Sequence, residues 1–304
     1  MCDNILAMCK ILVTGGLGQL GREIHSIVKD SDSYVFTDIT DNEFVTELDI
    51  CNKDDIEIFC NKFDISAIVN CAAYTNVEGA EEPEGWELCK RINIDGVENL
   101  AQIAFQRNIP LITISTDYVF DGRNIDDEYT ESSPANPLSK YGLSKLKSEE
   151  AVINSRCKGL IIRTSWLYSP YGKNFVKSMI ALSKKQDEIK VVGDQVGNPT
   201  YAGDLAKCII EIVKYSGNYQ GEIFHYSNRG SASWADLASK TMEFTESDCK
   251  IVPITTQEYP TKAERPKFSP MSKCKLNSHF PQIDIPEWEE SLKRMLINNP
   301  TLYR

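Results

Sequence analysis

The sequence predicts an α/β protein in which a doubly wound parallel sheet is followed by a smaller C-terminal lobe. Three observations carry this expectation. From Lys10 to Thr164, short apolar β-branched runs alternate with longer amphipathic ones, the rhythm of strand and helix in βαβ units. A glycine-rich turn stands between the first strand and the first helix. Beyond Trp166, prolines at 170, 199, 253, 260, 266, 270, 281 and 286 break the rhythm into shorter pieces.

In chain order, KILVT (10–14) reads as a strand, Gln19 to Lys29 as a helix and YVFTD (34–38) as a second strand. Residues 53–62 read as a helix, AIVN (67–70) as a third strand, and Glu82 to Arg107 as one long helix before the strand LITIS (111–115). A polar loop with Asp121-Gly122 and two prolines, Pro134 and Pro137, leads to a helix from Ser139 to Ser155 and a strand at GLIIRT (159–164). Helical pieces follow at 174–185, 203–215, 233–243 and 287–297. Residues 1–9 read as a ragged extension with no basic n-region and no cleavage pattern. The expected division is a dinucleotide-binding domain over 10–165 and, over 166–304, a mainly substrate-binding lobe with some segments returning to the first domain.

A chain of 304 residues is long enough for about two packed units. With 41% hydrophobic and 25% charged residues it has a globular rather than a disordered composition. The net charge of −11 repels phosphate backbones and anionic lipid, so neither nucleic acid nor membrane is an expected partner. No apolar stretch approaches the roughly 18 residues that a membrane span needs. The ten cysteines include no CxxC pair, so they read as free thiols suited to a reducing cytoplasm.

In TGGLGQLG (14–21), Gly15, Gly18 and Gly21 let the backbone turn sharply and approach a pyrophosphate, whose charge meets a helix N-terminus. Asp38 ends the second strand 23 positions after Gly15, near the spacing of a carboxylate that binds the adenosine ribose. Its charge favours NAD(H) over NADP(H), since it repels a 2′-phosphate. Together these features make the sheet Rossmann-type. Tyr141 and Lys145 lie four residues apart on one face of a helix, just after the strand that ends in Ser115-Thr116-Asp117. A tyrosine works as an acid near neutrality when a cation favours its phenolate, which Lys145 can supply, and Thr116 can hold the substrate oxygen. The three histidines, His25, His225 and His279, are too scattered to hold a metal, and no GxSxG elbow points to a hydrolase.

The chain resembles the extended short-chain dehydrogenase/reductases and, within them, the dTDP-4-dehydrorhamnose reductase family. The resemblance rests on TGGLGQLG (14–21), Asp38, LDI (48–50), VNCAAYTNVEGAE (69–81), NIDGVENLA (93–101) and ISTDYVFDG (114–122). It continues through YGLSK (141–145), RTSWLY (163–168), NFV (174–176), VGDQVGNPTYAGDLA (192–206) and ERPKFS (264–269), and so covers nearly the whole chain. Cys71 interrupts the family's usual alanine run, and Tyr74 stands at a position that varies in the family.

The resemblance implies that Gln19 and Leu20 line the pyrophosphate loop, Asp49 and Ile50 the adenine pocket, and Ala72, Ala73 and Thr75 the cofactor. It implies Tyr141 as proton donor, Lys145 as its electrostatic partner and a ribose ligand, and Thr116 as the group tuning the tyrosine. Asp117 and Trp166 would touch the sugar nucleotide, and Arg265 its diphosphate. The implied reaction is hydride transfer from NADH or NADPH, with NADH favoured, to the C4 ketone of a dTDP-linked 4-keto-6-deoxy sugar. A homodimer bridged by Mg2+ through residues such as Glu23 is known in the family, against which Glu23 also reads as an ordinary helix carboxylate. Two alternatives are a reductase or epimerase of another nucleotide sugar, and a non-catalytic regulatory subunit that binds cofactor. Retention of Thr116, Tyr141 and Lys145 speaks against the second.

Overall fold

The computed structural model describes residues 9–125 and 127–303, so the extension expected over residues 1–9 lies, apart from Cys9, outside the described residues. The first six strands of the main sheet are β1 (Lys10–Thr14), β2 (Tyr34–Asp38), β3 (Val45–Glu47), β4 (Ile65–Asn70), β5 (Leu111–Thr116) and β6 (Gly159–Thr164). Five of them follow the apolar runs of the sequence, while β3 is a three-residue edge strand with too little pattern to read. Every pairing is parallel and β1 is flanked by β2 and β4, so the strand order reverses between β1 and β4. Ligands of such sheets bind outside the carboxyl ends of the strands at that reversal.

Helices α1 (Gln19–Val28), α2 (Lys53–Phe63), α3 (Val77–Ala80), α4 (Pro83–Lys90), α5 (Gly96–Arg107) and α6 (Lys140–Ser155) connect these strands. Their limits have local causes. Asn52 and Ser139 cap α2 and α6 by accepting from the amides of Asp55 and Gly142. Asp64, Asn108 and Arg156 end α2, α5 and α6 in left-handed backbone. The helix expected over 82–107 is interrupted by a π-helical turn at Arg91–Asp95. The wider turn carries Asn93 into the interior, where it bonds the Tyr74 backbone and Ser144. One face of the sheet packs on Ile56, Phe59, Val97, Leu100 and Val152. The other packs on Leu20 and Ile24 together with Leu205 and Ile209 from the second half of the chain.

That second half contains β7 (Leu167–Tyr168), α7 (Phe175–Ser183), β8 (Glu188–Val192), β9 (Val196–Gly197), β10 (Thr200–Tyr201) and α8 (Ala202–Ile212). It continues with β11 (Gln220–His225), β12 (Ala232–Ser233), α9 (Trp234–Phe244), β13 (Lys250–Ile254), α10 (Cys274–His279) and α11 (Trp288–Asn298). Strand β11 joins the main sheet beside β6 as its seventh strand, and α8 packs against α1. Separate apolar clusters form where α7 and α9 meet β8 (Met179, Ala238, Ile189) and around Leu292 and Leu296 of α11. Among the described residues, nine cysteines are free thiols and no helix is long and apolar enough to cross a membrane.

Candidate active site

A cleft of about 530 Å³ opens at the carboxyl ends of β1, β4, β5 and β6. It brings together Gly18, Gln19, Leu20, Ala72, Ala73, Thr75, Thr116, Tyr141, Lys145 and Trp166, ten of the residues singled out in the sequence. Gly172, Lys173 and Asn174 from the second half also line it.

On one side lies the glycine turn. Gly15 has φ +67°, and a Cβ there would sit 2.5 Å from the Ala72 amide nitrogen, so only glycine lets β1 and the segment after β4 approach this closely. A Cβ at Gly21 would sit 2.3 Å from the Gly15 carbonyl oxygen, which explains the third glycine. Gly18 caps α1 without a side-chain acceptor, leaving the first-turn amides free for an anion, and these residues fit a dinucleotide's pyrophosphate. Asp38 lies outside the cleft lining and supports the turn: its carboxylate accepts from Leu17 N at 2.9 Å and from Ile39 N at 2.8 Å. Asn174 Nδ2 donates to Gln19 Oε1 at 2.9 Å, tying the second half to the glycine turn.

On the other side stand Tyr141 and Lys145, one turn apart on α6. Burial pushes the Tyr141 phenol above its ordinary value; the Asp117 carboxylate adds to this and the Thr116 hydroxyl opposes it. Lys145 is not among the groups that act on the Tyr141 phenol, where burial governs; the carboxylate that faces Lys145 is that of Glu149. Burial, in turn, lowers the Lys145 ammonium to about 8. Thr116 Oγ1 donates to Asp117 Oδ1 at 3.1 Å and accepts from Tyr118 N at 3.2 Å. Behind Tyr141, its carbonyl accepts from Ser144 Oγ at 2.7 Å, and Ser144 accepts from Asn93 Nδ2 at 2.9 Å.

Asp117, Arg265, Asp49 and Ile50 also lie outside the cleft lining. Asp117 is buried beneath Thr116, where it accepts from Ser269 Oγ at 2.7 Å, and burial raises its carboxyl to about 6. Arg265 is ion-paired with Glu78 at 2.6 Å, in the wall beyond Tyr118. Asp49 accepts from Cys51 N and pairs with Arg91, and Ile50 is a core residue seated on Gly96. Sequence reasoning missed Lys173, which has no motif, and gave no role to Asn93 or Asn174, although both fall inside quoted motifs.

Among the described residues, Glu23 and its neighbours do not by themselves make a site for a divalent metal. Glu23 is buried with Oε1 unpartnered, and desolvation raises its carboxyl to about 7. The nearby Asp204 carboxylate is committed to Arg294, Ser291 and Asn228. Among the described residues no three His, Cys, Asp or Glu side chains converge as metal ligands.

The family model described as RmlD substrate binding domain matches residues 9–300. The chain is 36% identical over 303 residues to a dTDP-4-dehydrorhamnose reductase from Aggregatibacter actinomycetemcomitans, covering 95% of this chain and 98% of the relative. Its fold matches the crystal structure of a dTDP-4-dehydrorhamnose reductase from Clostridium acetobutylicum with a TM-score of 0.87 and 40% identity, over 96% of this chain and 99% of that one. The Bacillus anthracis dTDP-4-dehydrorhamnose reductase, solved in complex with NADP, matches with a TM-score of 0.86 and 34% identity, over 95% and 99% of the two chains.

Proposed function

The chain belongs to the RmlD substrate binding domain family, and from that membership we propose that it is an oxidoreductase that reduces the C4 ketone of dTDP-4-dehydro-L-rhamnose to dTDP-L-rhamnose with NADH or NADPH. The observation that carries this reading is the convergence of Thr116, Tyr141 and Lys145 in one cleft with the glycine turn.

A bound nicotinamide supplies the hydride. The free amides of the first turn of α1 hold the pyrophosphate, with Ala72, Ala73 and Thr75 along the cofactor beyond it. Thr116 turns its hydroxyl proton from Asp117 Oδ1 to the C4 oxygen as negative charge develops there. A phenol held above its ordinary value keeps its proton at neutral pH, and an alkoxide is a much stronger base, so Tyr141 surrenders that proton only as the alkoxide forms. Lys145 brings positive charge to an otherwise anionic reaction and binds the ribose. Trp166 contacts the sugar nucleotide, whereas Asp117, buried beneath Thr116, acts on it by positioning that hydroxyl. Arg265 takes the diphosphate by exchanging its partner Glu78.

Residues 10–165 act as the cofactor domain and residues 166–304 mainly as the substrate lobe, with α8 and β11 returning to the first. The negative charge of Asp38 supports NADH over NADPH, and the free thiols suit a cytoplasmic location. The test is cofactor oxidation with dTDP-4-dehydro-L-rhamnose by the native chain and by Tyr141→Phe. Turnover by the first and near silence from the second is expected; equal rates would remove the phenol from the mechanism.

A further inference from the structure

Trp166 sits at φ +46°, a left-handed backbone that a bulky side chain adopts only when its surroundings enforce it. The enforcement is visible. The Trp166 carbonyl accepts from Thr200 N at 3.2 Å, and its indole stacks on that of Trp234 with centroids 3.6 Å apart and planes 5° from parallel. A Cβ on Gly197 would lie 2.6 Å from Trp166 Cε2, so the glycine forms a seat for the ring. Seat and stacking partner belong to one device: Gly197 pairs with Ala232 in the β9–β12 ribbon, and Trp234 follows that ribbon as the first residue of α9. Trp234 is itself fixed by the reciprocal Ser233–Asp236 cap and by Phe175, whose ring lies 4.7 Å away. Trp166 lines the cleft, whereas Trp234 and Gly197 are not part of its lining.

We infer that Trp234 is a positioning residue: by stacking on Trp166 it holds that indole in its strained conformation at the cleft, and so sets the grip on the sugar nucleotide but not on the cofactor. This rests on the reading above that Trp166 touches the sugar nucleotide. A purely structural stack would show itself differently, because its loss would weaken cofactor and sugar binding together.

The experiment measures KM for dTDP-4-dehydro-L-rhamnose and Kd for NADPH in the native chain, W234A, W234F and G197A, with the far-ultraviolet exciton couplet of the stacked indoles followed by circular dichroism. An aromatic pair of this kind predicts a KM about three- to tenfold higher in W234A, an unchanged NADPH Kd, and near-native KM in W234F. G197A keeps both indoles but pushes Trp166 from its seat, so it should raise KM as W234A does and alter the couplet. If W234A does not fold, W234F and G197A decide. A native KM in G197A despite an altered couplet would overturn the inference, as would a parallel rise of KM and NADPH Kd. A native chain that shows the couplet yet neither turns over the keto sugar nor binds dTDP would instead bring down the proposed function, and this inference with it.

Discussion

Around the glycine turn the backbone is held mainly by the sheet, with β1 fixed between β2 and β4 from Ile11 to Thr14 and Asp38 bracing Leu17 N, which leaves the other side chains at the strand ends free to face the cleft. Around Asn198 the backbone is held by side chains. Asn198 Nδ2 donates to the Gly230 carbonyl at 2.7 Å, its Oδ1 accepts from Met271 N at 2.7 Å, and its own carbonyl accepts from Ser165 Oγ at 2.7 Å. Asn228, Asp204, Ser291 and Arg294 knit another part of the second half in the same way. Where a ladder satisfies the main chain, polar residues are available for chemistry; where loops dominate, buried polar residues are used up in satisfying them. Mutations in the first region should therefore change rate or cofactor choice, and mutations in the second should change stability and sugar binding.

The sharpest test of that contrast is Tyr141→Phe, which deletes only a hydroxyl. It should lower kcat by about 10²- to 10⁴-fold with no loss of thermal stability or cofactor affinity. A protein destabilised by this change would mean that the cofactor side also spends its polar groups on structure. Next in size is Asn198→Ala, which strands the Gly230 carbonyl and the Met271 amide in a buried site. Denaturant unfolding should show a loss of about 2–4 kcal/mol, with KM for the sugar nucleotide raised and NADPH affinity kept. Unchanged stability would break the comparison from the other side.

A smaller effect comes from Lys145, whose ammonium is lowered by burial to about 8. Its cation is present below that value and is lost above it, so kcat/KM should fall roughly tenfold per pH unit once pH passes about 8. A profile that stays flat to about pH 9 would show that the charge is not needed. The smallest effect is expected from Asp38→Asn. It keeps one acceptor, for Leu17 N, but removes the charge and the acceptor for the exposed Ile39 N, and should move the NADH-to-NADPH preference about fivefold toward NADPH.

The same contrast explains what could be read from the sequence. Strands β1, β2, β4, β5 and β6 announce themselves as apolar runs, because a strand covered on both faces must be apolar. Strand β11, QGEIFH, carries a glycine and three polar residues at the sheet edge and gives no such signal. The interruption at Arg91–Asp95 was only weakly signalled, by the helix-disfavouring Asp95-Gly96 pair at its end, and the buried partners of Asn93 reveal the wider turn. Within the site, the glycines, Tyr141, Lys145 and Thr116 were visible through spacing and strand ends, as was Trp166 through its motif. Asp38 and Asp117 were visible as residues, but their hydrogen bonds to Leu17 and to Ser269 depend on contacts distant in sequence. Trp234 was invisible because its partner lies 68 positions earlier, 234 − 166, with no periodicity linking them.

The central claim is that this cleft delivers hydride to C4 of a dTDP-linked keto sugar. It is tested most directly by supplying NADPH deuterated at its transferable position, together with dTDP-4-dehydro-L-rhamnose, and locating the label in the product by NMR. Deuterium on C4 of a dTDP-L-rhamnose product is the predicted result; cofactor oxidation that leaves the sugar unlabelled, or a label on any other carbon, would contradict it.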